Sequence, residues 1–231
     1  MRGHEVRKLT DVEDRHWWYA ERRHILARSI AGMPPGSALD VGAAGGGNTR
    51  VLQAAGWRVA ALEYGPEGAA VARERGLDVI RADATALPLA TASLDLVVAY
   101  DVIEHLLDHD AAVAHLRRAL RPDGTLLVAV PCDPRLWSAH DVAVDHVRRY
   151  TRSTLLDLLL RNGFAVDDLW SWNVLLRPAV QVRRRWTTGS DLEDLPRPVN
   201  AALRGVVALE RHLPVRGLPG VTLMATARPA R

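Results

Sequence analysis

The stretch Ala38-Leu39-Asp40-Val41-Gly42-Ala43-Ala44-Gly45-Gly46-Gly47-Asn48-Thr49 decides how the rest of this chain reads. Small and apolar residues lead into an acid and then a glycine-rich run, which opens into an amphipathic segment reaching Ala55. That is the order of a buried strand, a tight turn and a helix start. Missing Cβ atoms at such a turn let backbone come close to a ligand, and the helix N-terminus offers unpaired N–H groups. Several nucleotide-binding folds share this arrangement, so by itself it does not name the ligand.

On the C-terminal side the pattern repeats. Short apolar runs at 57–63, 77–81, 94–100 and 125–130 alternate with helical periods at 66–75 and 108–120, a turn at Arg121-Pro122-Asp123-Gly124 preceding the last of these strands. Strands separated by helices of this length predict βαβ units and a parallel sheet. Beyond Pro131 the rhythm breaks, and 132–150 has no clean period but is rich in His, Asp and Arg. An irregular segment after a central strand's C-terminal end is where such folds place active-site loops. A helix at 151–161, a strand at 164–173, helices at 175–186 and 199–212 and a strand at 220–227 complete the chain. On the N-terminal side, 11–30 reads as one helix, with Trp17, Trp18, Arg22, Ile25, Leu26 and Ile30 near a 3.6-residue period. The rings of His16-Trp17-Trp18-Tyr19 either cap the sheet's core or close over a ligand.

The expectation is therefore one α/β domain over 1–231 with a Rossmann-like, seven-stranded, mostly parallel sheet and helices on both faces. Within it, 1–36 is a helical lid, 37–131 the cofactor-binding core, 132–150 an active-site loop, and 151–231 a C-terminal half with a helical insertion at 175–212. Of 231 residues, 48% are hydrophobic and 25% charged, enough apolar material for a substantial core. The net charge of +3 comes almost wholly from arginine, Lys8 being the single lysine. Arginine-rich codon usage accounts for that as readily as an anionic substrate does. Cys132 is the single cysteine, which excludes an intrachain disulfide and a cysteine-built zinc site and suits a reducing, cytoplasmic location. The stretch 1–14 is polar, with no apolar core of a signal peptide, and no apolar run reaches membrane-spanning length.

Three acids narrow the ligand. Glu63 ends the second strand about twenty residues after the first glycine, where a carboxylate can accept both hydroxyls of a ribose. Asp40 sits before that glycine, where it suits a cationic ammonium or orients the loop, and would repel a pyrophosphate. Asp83-Ala84 follows the third strand and pairs a carboxylate with a backbone N–H, as the edge of adenine requires. With Tyr100-Asp101 ending the fourth strand, the set fits a cationic, phosphate-free adenosine ligand better than NAD.

With these motifs in order, the chain resembles the class I S-adenosylmethionine-dependent methyltransferases, in particular the small ubiquinone-type (UbiE) group. The resemblance covers 11–163 well and the tail loosely. Leu39-Asp40-Val41-Gly42-Ala43-Ala44-Gly45-Gly46 matches the family's first motif, with Ala44 where the second glycine usually stands. An alanine there is tolerable if its φ stays negative. Glu63 matches the ribose acid, Asp83-Ala84 the adenine motif, Asp101-Val102-Ile103-Glu104-His105 the end of the fourth motif, and Leu120-Arg121-Pro122-Asp123-Gly124-Thr125-Leu126 the turn into the fifth strand.

The resemblance implies S-adenosylmethionine as cofactor and methyl transfer to oxygen, nitrogen or carbon of a small molecule, in secondary metabolism or on a lipid-linked glycan. The implied cofactor contacts are Tyr19, Arg23, Asp40, Gly42, Ala44, Gly46, Glu63, Tyr64, Asp83, Ala84 and Tyr100, with Arg22 as a second arginine on the lid. The candidate catalytic histidines are His105, after the fourth strand, and His140 and His146 in the irregular segment. Asp101, Glu104 and His105 also resemble the Glu-x-x-Glu-His grouping of metal-assisted quinone O-methyltransferases. The same residues are widespread in relatives without metal, and no metal is assigned. In the tail, Trp170-Ser171-Trp172 and Arg183-Arg184-Arg185-Trp186 suit a helical cover, a homodimer contact or a peripheral membrane face. No nucleic-acid partner is expected, since no stacking platform accompanies the arginines. A non-catalytic S-adenosylmethionine-binding protein and an RNA methyltransferase stand as alternatives.

Overall fold

A computed structural model describes residues 10, 12–184, 186 and 195–230. The polar N-terminal stretch 1–9, Asp11, Arg185 and the polar stretch 187–194 lie outside the described residues, as does 231. The elements run α1 (Trp17–Ser29), β1 (Ser37–Val41), α2 (Gly47–Ala54), β2 (Arg58–Glu63), α3 (Pro66–Glu74), β3 (Val79–Arg81), β4 (Leu94–Tyr100), α4 (His109–Ala119) and β5 (Leu120–Pro131). They continue with α5 (Ala139–Ala143), α6 (Arg152–Arg161), β6 (Phe164–Trp172), α7 (Arg177–Arg184), α8 (Arg197–Glu210) and β7 (Thr222–Pro229).

One seven-stranded sheet has the order β3-β2-β1-β4-β5-β7-β6. β1 to β5 are parallel neighbours in that order, while β7 inserts antiparallel to both β5 and β6. The central strands are apolar because both faces are covered. One cluster packs Leu39, Val97, Leu126 and Val128 under α4 and α6, and the other packs Leu96, Val98 and Leu127 under α1 and α2. Reversal of strand order at β1 and β4 opens a crevice at their C-terminal ends, where ligands bind in open α/β sheets. No helix among the described residues is long and apolar enough to cross a membrane.

Four expectations change. The helix expected over 11–30 is broken at His16, whose backbone is extended (φ −72°, ψ 134°) and whose ring accepts from the Trp18 N–H at 3.3 Å. α1 therefore starts at Trp17, after a separate turn closed on the Val12 carbonyl. The turn Arg121–Gly124 is absorbed into β5: Leu94 pairs with Leu120 but Leu96 with Thr125, so the intervening residues bulge out of register. The Trp170-Ser171-Trp172 stretch lies in β6, within the strand expected at 164–173, but Trp172 is buried against Trp17 and Trp18 at ring separations of 6.4 and 4.4 Å, which removes that ring from the membrane or dimer face read for the tail.

The fourth change is at Ala44. Its φ is +47°, not negative. A Cβ in the left-handed region strains the backbone by roughly 1–2 kcal/mol, part of which glycine would give back through its freer unfolded chain. Ala44→Gly is expected to raise the unfolding free energy by about 0.5–1 kcal/mol, read from urea denaturation.

Candidate active site

A cavity of about 340 Å³ lies over the C-terminal ends of β1, β4 and β5, roofed by α1, α5 and α7. At one end is the glycine loop. Gly42 (φ +65°) bonds back to the Leu62 carbonyl at 2.8 Å, and a Cβ on it would come within 2.6 Å of Val102. Gly46 caps α2 in a left-handed conformation with no side-chain partner, so Gly47 and Asn48, which line the cavity, present first-turn N–H groups to a ligand or water. From outside, Arg75 clamps the loop by donating to the Gly45 carbonyl at 2.7 Å, the Thr10 carbonyl at 3.1 Å and the Glu13 carboxylate.

Asp40 does not line the cavity. It is 1% exposed and accepts the Thr49 hydroxyl at 2.6 Å, tying the strand end to α2. Of the two roles open to it, only the loop-organising one has a visible partner. Burial, reinforced by the nearby Glu63 charge, pushes its carboxyl up to about 7. The folded chain thus keeps a proton that the unfolded chain loses near its ordinary value of 3.8. Unfolding free energy falls as pH rises through that window. Asp40→Asn cannot titrate and is expected to flatten this slope, checked by urea unfolding at about pH 4.5 and about pH 7.5.

Glu63 ends β2 beside the loop and its carboxylate accepts from the Ala44 N–H. Tyr64 follows, 74% exposed. Asp83 caps the short turn Ala84–Ala86 by accepting from the Thr85 N–H at 2.8 Å. Glu63, Tyr64, Asp83, Ala84 and Gly46 lie outside the cavity lining, on the flank where β2 and β3 end. Tyr19, Arg23, Gly42, Ala44 and Tyr100 line the cavity itself. Arg22, expected as the second arginine on the lid, is 3% exposed, stacks 4.7 Å over the Tyr100 ring and pairs with Asp101.

At the far end stand His105, His140 and His146, which the structure brings together: the His146 ring centroid is 4.8 Å from that of His105 and 6.1 Å from that of His140. They gather because α5 is held by a reciprocal cap between Ser138 and Asp141. Asp141 is fully buried and accepts from His146 Nδ1 at 2.8 Å, Arg149 Nε at 2.8 Å and the Ser138 N–H at 2.9 Å. Arg149 also donates to the Cys132 carbonyl at 2.9 Å, fastening the segment to the end of β5. Burial, then the neighbouring His146, lowers the His105 pKa.

Sequence reasoning gave no site role to Glu13 or Asn173; it placed Glu104 in a metal-type grouping with Asp101 and His105, and Asp141 in the irregular active-site segment without a role of its own. Asn173 lines the cavity and is fully buried with no partner for either amide atom. Ser138 three residues before Asp141 is the one signal that could have marked the hub, as a capping pair.

Comparison with known proteins agrees with this geometry. Residues 39–128 match a family model described as a methyltransferase domain. A "Probable S-adenosylmethionine-dependent methyltransferase" of Mycolicibacterium smegmatis is 28% identical over 166 residues, covering 70% of this chain and 65% of the relative. A demethylmenaquinone methyltransferase of Renibacterium salmoninarum is 28% identical over 143 residues, covering 61% and 58%. The chain thus spans less than two thirds of the length of these relatives. Among solved structures, a Burkholderia thailandensis 1,6-didemethyltoxoflavin-N1-methyltransferase with bound S-adenosylhomocysteine superposes with a TM-score of 0.56 at 21% identity, covering 90% of this chain and 76% of that one. The [4+2]-cyclase SpnF superposes at 0.60 with 20% identity, covering 91% and 80%. At such identities the likeness is one of fold, and the fold hosts more than one chemistry.

Proposed function

We propose, from the methyltransferase-domain match over residues 39–128, that the chain is a class I S-adenosylmethionine-dependent methyltransferase that methylates oxygen, nitrogen or carbon of a small-molecule acceptor. The observation that carries the reading is a single cavity running from the glycine loop to three clustered imidazoles. The loop suits the cofactor: Gly42 leaves no room for a Cβ, the start of α2 offers N–H groups, and Glu63 ends the adjacent strand. The rings of Trp17, Trp18 and Tyr19 at the cavity surface suit a cation.

S-adenosylmethionine supplies an electrophilic sulfonium methyl. The residues of this chain have to align the acceptor, exclude water and receive a proton. Trp18, Val144, Leu176, Val180 and Leu203 give apolar walls, and Asn173 offers the acceptor an amide. Bound there, S-adenosylmethionine would supply its methyl carbon to the acceptor atom's lone pair and would leave as the thioether. The acceptor's proton leaves toward the His105–His140–His146 group.

The test is S-adenosylhomocysteine release over a panel of phenols, amines and carbon acids. His146→Ala is expected to lower kcat by about 10²–10⁴-fold while leaving cofactor affinity unchanged. Full turnover in that variant would remove the imidazole group from the reaction, and no turnover with any acceptor would favour a non-catalytic binding protein.

A further inference from the structure

We propose that Glu104, His105 and His146 form a binding site for one first-row divalent cation of the Zn²⁺ type. The inference stands on the cluster's own geometry and does not depend on methyl transfer.

One ligand atom from each of the three residues lies within 4.8 Å of the others. Glu104 is fully buried, and neither carboxylate oxygen has a hydrogen-bond partner. A buried carboxylate is stable only with a partner, a bound cation or a proton. The contact that comes nearest, His146 Nε2 to Glu104 Oε1 at 3.7 Å, is too long for a hydrogen bond.

The two rings are oriented as metal-ligating histidines are. His146 Nδ1 faces Asp141 Oδ1 at 2.8 Å, and His105 Nδ1 faces the Asp145 carbonyl at 3.1 Å. Both partners only accept, so each Nδ1 carries the proton and each Nε2 keeps its lone pair. A carboxylate or carbonyl behind Nδ1 is the usual support of a ligating imidazole.

The backbone fixes the approach of the two segments. The Val147 N–H donates to the Glu104 carbonyl at 3.0 Å, and the His146 N–H to the Asp141 carbonyl at 2.8 Å. Two imidazoles and one carboxylate form the three-ligand set of open catalytic zinc sites and suit first-row ions better than Mg²⁺, which prefers oxygen. Asp101 is excluded from the set by its pairing with Arg22. His105 and His146 both line the acceptor end of the cavity, so a cation held there has its open positions toward the acceptor. It would favour an oxygen nucleophile by acidifying a coordinated hydroxyl, whose proton leaves toward His140.

The experiment uses the full chain, stripped with chelator and dialysed, then titrated with Zn²⁺ and separately with Co²⁺. The expected result is one Zn²⁺ per chain with micromolar or tighter affinity, and visible Co²⁺ bands of a nitrogen- and oxygen-ligated ion. His105→Asn and His146→Asn are each expected to weaken binding by more than about 100-fold, and Asp141→Asn by about 10–100-fold. His24→Asn, distant from the cluster, should change nothing, and circular dichroism confirms that each variant is folded. No binding tighter than millimolar would overturn the proposal and leave Glu104 a neutral carboxyl. Binding that survives in folded His105→Asn and His146→Asn would overturn it equally. S-adenosylhomocysteine titration of the same samples separates the two readings. A chain that binds S-adenosylhomocysteine but no Zn²⁺ loses this proposal alone, and the converse loses the cofactor reading alone.

Discussion

Replacing Asp141 with alanine is expected to lower the unfolding free energy by about 3–5 kcal/mol, the usual consequence of removing one partner of a buried ion pair. The pair is dry on both sides, with the Asp141 side chain 0% and the Arg149 side chain 1% exposed. Without the carboxylate, Arg149 keeps only the Cys132 carbonyl among the acceptors identified for it and remains a charge out of water. The loss extends to the capping pair with Ser138 and to the orientation of His146. Turnover should therefore vanish even in molecules that stay folded. Asp141→Asn keeps the shape and is expected to retain more stability. Equal stability of Asp141→Ala and the parent in urea would mean that 138–149 is a solvated loop.

The second large effect falls on the cofactor. Glu63→Ala is expected to weaken S-adenosylhomocysteine binding by about 10–100-fold, since a hydrogen bond to a charged group is worth about 1.5–3 kcal/mol. The carboxylate holds the Ala44 N–H, so its loss also slackens a loop whose backbone is already strained at Ala44. Burial raises the Glu63 pKa above the ordinary carboxylate value. Glu63→Gln should fall between the two, because an amide oxygen still accepts from Ala44. Calorimetry of the three proteins checks the order, and unchanged affinity in Glu63→Ala would place the ribose elsewhere.

The sheet was legible because its parallel strands are buried on both faces and read as short apolar runs closed by glycine or acid, as at Leu39–Gly42 and Leu62–Glu63. Local pattern could not show the break at His16, which depends on a ring turning back onto the Trp18 N–H. Nor could it show the positive φ of Ala44, because a non-glycine residue gives no local sign of the left-handed region. The histidines at the acceptor end stood out as a polar concentration without period. Their organiser did not: Asp141 becomes a hub only once β5 and α5 bring Ser138, His146 and Arg149 around it. Glu104 stood out beside His105, but its meeting with His146 did not, since that follows from two segments more than forty residues apart in the chain coming together. Tertiary context, not composition, separates these residues from the surface acids.

The account depends most on the glycine loop, Glu63 and the aromatic, cation-accepting end of the cavity serving a sulfonium nucleoside and not a pyrophosphate. Calorimetric titration of the full chain with S-adenosylmethionine, S-adenosylhomocysteine and NAD tests this directly. Saturable binding of the first two at one site, with no measurable heat from NAD, is the predicted result. Binding of NAD, or no binding of either sulfur nucleoside, would contradict it.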